Sequence, residues 1–282
     1  MSEVQQAAGA EDWEGAKGEN WLAHLDRFEG MIAPIGASLI AHAGFRAGER
    51  VVDIGCGGGA TTIEIARTVG PAGEAWGIDI SPALVAAGRR RARDAGLSNA
   101  SFLAANAAEA RPQAAPFDRL FSRFGSMFFE DRPAAFANLR AMLRGGGRID
   151  LAVWAPPAEN LWFTEMTAIF GSHVELPEQD PRAPGPFALA DPDDLRSLLE
   201  DSGFRQVEMT PWRGALLIGG AGADPGAAAA FVIEAMPLGA LVAEQPLVRR
   251  RVEADLKGLF ERHRAADGVR LAGTAWLVTA SA

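Results

Sequence analysis

Val51-Val52-Asp53-Ile54-Gly55-Cys56-Gly57-Gly58-Gly59-Ala60 is the stretch on which the fold turns. An apolar run stops at an acid, and a glycine-dense turn follows. Thr61-Thr62-Ile63-Glu64-Ile65-Ala66-Arg67 then opens a helix. Strand, glycine loop and helix N-terminus, in that order, form the ligand-binding corner of an α/β protein. Residues without Cβ let a ligand lie against the backbone. The unpaired N–H groups of the helix's first turn face that ligand with the positive end of a dipole.

Two patterns overlap in the loop. Gly55, Gly57 and Ala60 fit the dinucleotide fingerprint G-x-G-x-x-A. Asp53, Gly55, Gly57 and Gly59 fit D-x-G-x-G-x-G. A carboxylate two residues before the first glycine repels a pyrophosphate and suits a ligand with a cationic tail. The block Asp53-Ile54-Gly55-Cys56-Gly57-Gly58-Gly59 resembles the first motif of class I methyltransferases that use S-adenosylmethionine (SAM). The resemblance implies SAM as cofactor, held by Asp53, Gly55, Cys56, Gly57, Gly59 and Thr62. It also implies an α/β fold: a Rossmann-like, seven-stranded, mostly parallel sheet whose last strand is antiparallel, with helices on both faces and helical lid insertions.

The second strand, about 74–80, ends at Asp79-Ile80, about 26 residues after Asp53. In a strand–helix–strand unit a carboxylate there meets the two ribose hydroxyls. Ser81-Pro82 starts the next helix, with Ser as N-cap and Pro at the first helical position. After the third strand comes Asn106-Ala107, where the family usually has an acidic residue followed by Ala. The resemblance makes the Asn106 amide oxygen and the Ala107 N–H adenine contacts. The competing reading is a loop Asn bonded to its own backbone.

The fourth strand, 117–123, runs into Phe124-Gly125-Ser126-Met127-Phe128-Phe129. Strand ends beside the first loop form the crevice, so Ser122, Arg123 and Phe124 are expected near the sulfonium and the acceptor. All three are expected to bind the cofactor; for Arg123 a loop-supporting ion pair competes, and a hold on an anionic acceptor group is the alternative. The run from Phe121 to Asp131, the Pro133 helix, the Gly145-Gly146-Gly147 turn and the strand to Trp154 resemble a bacterial small-molecule branch, similar to the ubiquinone/menaquinone-biosynthesis type. The resemblance covers Gly48 to Trp154 well and the final strand, about 270–279, weakly.

Outside that core the sequence predicts additions. Residues 1–47 read as a helical lid segment, with helices at about 20–31 and 34–43. Residues 48–282 are the SAM-binding domain, with insertions at about 155–190 and 223–266. The first insertion carries a helix at 161–171. The second reads as two helices opening at Asp224-Pro225 and Pro246, which could pack on the sheet, cap the site or form a homodimer face. Trp13, Trp21, Met31, Met127, Trp154, Trp162 and His173 are the candidate acceptor-pocket residues; for each, a plain core or surface role competes.

Composition narrows the functions. The chain of 282 residues is 48% apolar and 22% charged, with a net charge of −9. That charge disfavours a nucleic-acid surface. No apolar run reaches the roughly 20 residues of a membrane span, and the polar, acidic start does not read as a signal peptide. A cytoplasmic enzyme acting on a small molecule is expected. One cysteine, Cys56, excludes an internal disulfide and a cysteine-rich metal site, so no metal is expected. There is no tyrosine to serve as acid or base, and four histidines give no firm catalytic residue. The competing readings are an NAD(P)-dependent oxidoreductase, using the G-x-G-x-x-A pattern, and a non-catalytic binding subunit with a methyltransferase-like fold.

Overall fold

The computed structural model describes residues 13–178, 180 and 183–282. The outermost part of the expected lid segment, residues 1–12, and positions 179, 181 and 182 of the first insertion lie outside the described residues.

Five strands build the parallel half of the sheet. They are β1 (Arg50–Ile54), β2 (Glu74–Asp79), β3 (Ala100–Ala104), β4 (Phe117–Arg123) and β5 (Leu143–Trp154). Two long strands finish it, β6 (Arg205–Ile218) and β8 (Gly268–Ser281). The order is β3-β2-β1-β4-β5-β8-β6, and only β8 runs antiparallel to its neighbours. The sheet has eight strands rather than the expected seven, because β7 (Arg264–Ala265) folds back on the start of β8. From β1 the chain winds outward to β3, then crosses back to β4 and β5. With right-handed crossovers, that reversal puts the connecting helices on opposite faces.

Each connecting helix starts where the sequence supplies a cap. Helix α3 (Ala60–Val69) follows the glycine loop, and α4 (Pro82–Asp94) starts at Ser81, whose Oγ accepts from the Leu84 N–H at 3.4 Å. Asp131 caps α5 (Arg132–Ala141), and Asp191 caps α7 (Pro192–Asp201). Helix α6 (Leu161–Gly171) forms the core of the first insertion. The second insertion is α8 (Pro225–Ala235), capped by Asp224, and α9 (Pro246–Arg262). Val252, Leu256, Leu259 and Phe260 of α9 are buried. The pair packs on the sheet, both helices touching β8, and α9 also touches α6.

Two boundaries differ from expectation. The first predicted helix starts earlier and is cut at His24: its beginning is α1 (Ala16–Ala23), and its remainder joins the second predicted helix as α2 (Leu25–Ala43), running through Pro34. Proline inside a helix costs about 3 kcal/mol. Here Met31, Ile32, Ile35, Gly36 and Leu39 are all buried around it, so packing outweighs the lost hydrogen bond. Strand β6 also extends to Ile218 rather than Trp212, with Pro211 inside it. It is the edge strand, where a missing N–H is tolerated.

The far end of α2 is pinned under the sheet. Arg119 of β4 donates to the Ala43 carbonyl at 2.6 Å and pairs with the buried Asp150 at 2.8 Å. Arg148 pairs with the other oxygen of Asp150 at 2.6 Å. Helix α2 then lies across β5, β8 and β6, with its start beside the glycine loop.

Candidate active site

Strands β1 and β4 are neighbours whose connections leave in opposite directions, which makes the crevice at their C-terminal ends the expected ligand site. The two loops meet there in contact. Gly55 has φ 66°, and a Cβ on it would lie 2.5 Å from Gly125 Cα. A Cβ on Gly125 would lie 2.6 Å from the Ile54 carbonyl oxygen. Ser122 adds a stitch, its hydroxyl donating to the same carbonyl at 2.8 Å. That hydroxyl is fully buried and already used, so the side chain joins two strands rather than facing a ligand.

Asp53 lies at the bottom of the crevice, 1% exposed. Thr61 and Thr62, at the start of α3, each donate to its Oδ2 at 2.7 Å. Its Oδ1 is buried without a hydrogen-bond partner among the described residues. Burial pushes its pKa up to about 6, against the pull of the two threonines and of Arg123. A buried acceptor left open is unusual and normally marks a missing partner. Thr62 therefore contributes by holding Asp53.

Asp79 ends the adjacent strand. Its Oδ2 accepts from the Gly57 N–H at 2.8 Å and its Oδ1 from the Ser81 N–H at 2.9 Å. Burial raises its pKa, and those two N–H groups oppose the rise. The carboxylate is thereby fixed against the glycine loop. Each oxygen keeps a further lone pair, enough for a pair of neighbouring hydroxyls. Cys56 is buried with Ile63, Val85, Ala92 and Phe102, where burial holds its thiol well above the usual range. Its contribution to the loop is backbone.

At the β3 end Asn106 takes its local role. Its Oδ1 accepts from the Ala108 N–H at 3.0 Å, closing a turn on its own backbone. The expected adenine contact through that oxygen has to share it. Asn138 donates to the Ala107 carbonyl at 2.9 Å and holds this loop in place.

Helix α1 lies against the glycine loop and the residue that follows β2. Gly18 of α1 is buried against Ser81, where a Cβ would lie 2.9 Å from Oγ. Trp21 Nε1 lies 3.8 Å from the Cβ position of Gly57. Trp21 stacks on Phe28 at 4.0 Å between centroids, and Phe28 meets Phe231 of α8 at 4.9 Å. Trp13 contacts Trp21 and, at 5.0 Å, Phe128. Arg91 of α4 fastens the start of α2, donating to Glu29 at 2.7 Å, Asp26 at 2.6 Å and the Gly58 carbonyl at 3.3 Å.

An aromatic cluster runs from the β4 turn to the end of β5 and the first insertion. Phe124, held at φ 66°, stacks on Trp154 at 4.3 Å. Trp154 meets Trp162 at 5.0 Å, and Trp162 meets Phe163 and Phe187. Trp162 donates to Asn160 at 3.0 Å. Met31 and Met127 are buried in the main core, and the Met127 carbonyl accepts from Gly185. His173 does not join this group: its Nε2 is 2.7 Å from the Asp255 carboxylate, tying the first insertion to α9. Sequence reasoning passed over Gly36, Glu29, Arg91, Gly125 and Ser126. Gly125 was legible only as a glycine in the apolar run after β4, and the Ser126 hydroxyl is another buried atom with no partner among the described residues. No cluster of metal-binding side chains occurs among the described residues.

Comparison with known proteins points one way. A family model described as "Methyltransferase domain" matches residues 51–147. The chain is 36% identical over 119 residues to the aklanonic acid methyltransferase DauC of Streptomyces sp. (strain C5), which covers 42% of this chain and 54% of that protein. It is 34% identical over 124 residues to the nocamycin O-methyltransferase of Saccharothrix syringae, 44% of each chain. The chain thus spans about half the length of these two relatives. With the ubiquinone/menaquinone biosynthesis C-methyltransferase UbiE of Burkholderia cenocepacia (strain HI2424) it is 30% identical over 183 residues, 61% of this chain and 74% of that protein. In fold it is similar to a Haemonchus contortus phosphoethanolamine N-methyltransferase 2 solved with S-adenosyl-L-methionine. That match has a TM-score of 0.58 at 14% identity, covering 97% of this chain and 60% of that one.

Proposed function

The chain belongs to the SAM-dependent methyltransferases, and from that membership we propose that it transfers a methyl group to a small, partly apolar acceptor. The observation that carries the reading is the pair of carboxylates at the ends of β1 and β2, Asp53 buried and Asp79 half-buried. Asp79 is fixed by two backbone N–H groups, and Asp53 keeps one oxygen unpartnered. They fit a ligand with neighbouring hydroxyls at one end and a cation at the other. The oxidoreductase alternative has no comparable support, since a pyrophosphate would face both acids.

When bound, SAM supplies a methyl group on an already activated sulfonium, so the chain needs no nucleophile of its own. Asp79 orients the ribose and the glycine loop carries the backbone contacts. Trp21 and Gly18 close the lid and exclude water, and the β4 turn aims the acceptor in line. Orientation of this kind supplies most of the rate in a displacement between bound partners. Phe124, Trp154, Trp162 and Phe187 favour an acceptor with an apolar or aromatic face. The relatives named for aklanonic acid, nocamycin and ubiquinone/menaquinone are compatible with that class. An acidic chain with one buried cysteine suits the cytoplasm and a small molecule rather than nucleic acid. No helix among the described residues is long and apolar enough to cross a membrane.

Calorimetry with SAM, S-adenosylhomocysteine and NAD(H) tests the reading. Binding of the two adenosyl ligands without NAD(H) is expected, followed by methyl transfer in a screen of small aromatic and quinone-like acceptors. Binding of NAD(H) alone would overturn it.

A further inference from the structure

At the start of β3, the outermost parallel strand, lies an open hollow of about 330 Å³. The crevice is at the other ends of these strands and shares no lining residue with it. Ala92 and Leu97 give the hollow apolar surface, and Trp76, Arg89, Arg93 and Ser101 give it polar and aromatic groups. Trp76 and Ser101 are partners in the β2–β3 register. A Cβ on the next residue, Gly77, would meet Phe102, which clusters with Val85 and Ala92 of α4. Alternation along the strand therefore puts Trp76 and Ser101 on the face away from α4, whereas Arg89 and Arg93 belong to α4. The hollow curls round the free edge of the sheet, with an indole on one side and two guanidinium groups on the other.

The groups around it are unequally engaged. Trp76 Nε1 donates to Glu74 at 3.2 Å, which fixes the ring, and Glu74 is itself paired with Arg50 at 3.3 Å. Arg89 donates to the Phe102 carbonyl at 2.7 Å. That bond occupies an outward-facing group of the edge strand, so an added peptide strand cannot pair there, and the hollow favours a small molecule. Arg93 has no hydrogen bond or ion pair among the described residues, and the Ser101 hydroxyl is also unused. A guanidinium fork matches a carboxylate through two parallel bonds, and an indole face matches another aromatic ring. The volume lies at the lower end of the range for small-ligand sites. We propose that this hollow is a second ligand site, for a small aromatic carboxylate, whose ring lies on Trp76 and whose carboxylate is held by Arg93 with Arg89 and Ser101 beside it. It stands independently of the methyl-transfer reading.

The test is equilibrium dialysis of the full chain against 2-naphthoate. The controls are 2-naphthalenemethanol, which lacks the charge, and cyclohexanecarboxylate, which lacks the aromatic ring. The naphthoate should bind about tenfold tighter than either control. Arg93→Gln and Trp76→Leu should each weaken it about tenfold, and Arg93→Lys should fall between. Arg93 is exposed, so its variants keep the test open if Trp76→Leu does not fold. S-adenosylhomocysteine affinity should stay within about twofold in the Arg93 variants. An arginine that serves only the last turn of α4 would change the melting temperature and leave naphthoate binding as it was. No binding at about millimolar 2-naphthoate, equal binding of either control, or an affinity unchanged by Arg93→Gln would each overturn the site.

Discussion

Gly55 and Gly125 face each other with no room for a single carbon between them, and they join the loops after β1 and β4. Each excludes a side chain on the other, so the crevice floor depends on a pair rather than on a one-sided motif. Gly125→Ala has a clash with backbone on both sides, at Ile54 O and Gly55 Cα, where nothing can rotate away. Overpacking of this sort costs about 1–3 kcal/mol. Thermal unfolding should register the loss, and S-adenosylhomocysteine affinity should fall with it. An unchanged melting temperature would mean the two loops are not in contact.

Asp79→Ala removes the partner of two backbone N–H groups and the acceptor for the ribose together. Charge-assisted hydrogen bonds are worth about 1.5–3 kcal/mol each. Affinity for S-adenosylhomocysteine and for methylthioadenosine should drop alike, by tenfold or more, because both carry the ribose. Retained affinity for both in calorimetry would remove Asp79 from the site.

Asp53 makes stability and binding respond to pH in opposite directions. Its folded-state pKa is raised from 3.8 to about 6 by burial, so the folded protein holds a proton there that the unfolded chain has lost. Stability from this group is therefore greatest at low pH and declines as pH rises through that window, by at most about 3 kcal/mol. The ionised form is the one that attracts an ammonium, so ligand affinity should weaken below pH 6. Asp53→Asn should raise the melting temperature of the ligand-free protein at pH 8, flatten its slope between pH 4 and 6, and weaken S-adenosylhomocysteine. A lower melting temperature at pH 8 would show that the carboxylate is not a burden on the free fold.

Arg91 is the clasp between the lid and the glycine loop. Its Asp26 partner is exposed, and surface pairs contribute about 0–1 kcal/mol. Glu29 is far less exposed, with 14% of its side-chain surface open. Arg91→Ala should therefore lower stability by about 1–2 kcal/mol, or a few degrees in a chain of this size. It should speed S-adenosylhomocysteine dissociation in stopped-flow measurements. An unchanged off-rate would separate this clasp from lid opening.

The cofactor half of the site was legible because its chemistry lies in short contiguous stretches. Asp53, the glycines and Asp79 sit at strand ends whose spacing is fixed by one helical crossover. Cap residues such as Ser81 and Asp224 marked helix starts for the same local reason. What escaped detection depends on distant pairs. Nothing near Gly36 in the sequence announces that Arg123 leans on it, and nothing near His173 announces Asp255. Pro34 argued for a break that burial on both sides of it overrules. Ser122 has the right polarity for a ligand, but its partner is a carbonyl 68 residues away, whereas the local turn of Asn106 was one of the two readings its own sequence offered.

Strand β8 is the last long element in sequence, yet it lies inside the sheet, bonded along one side to β5 and along the other to β6. During synthesis every other sheet strand emerges before it. Until residues 268–281 are available, β5 and β6 each keep an open edge that can recruit another chain. The late insertion closes both at once, at the long sequence separation that slows folding. A chain that has made β5 and β6 but not yet β8 is thus the one most open to aggregation, and the pairing of β8 between them is its commitment step.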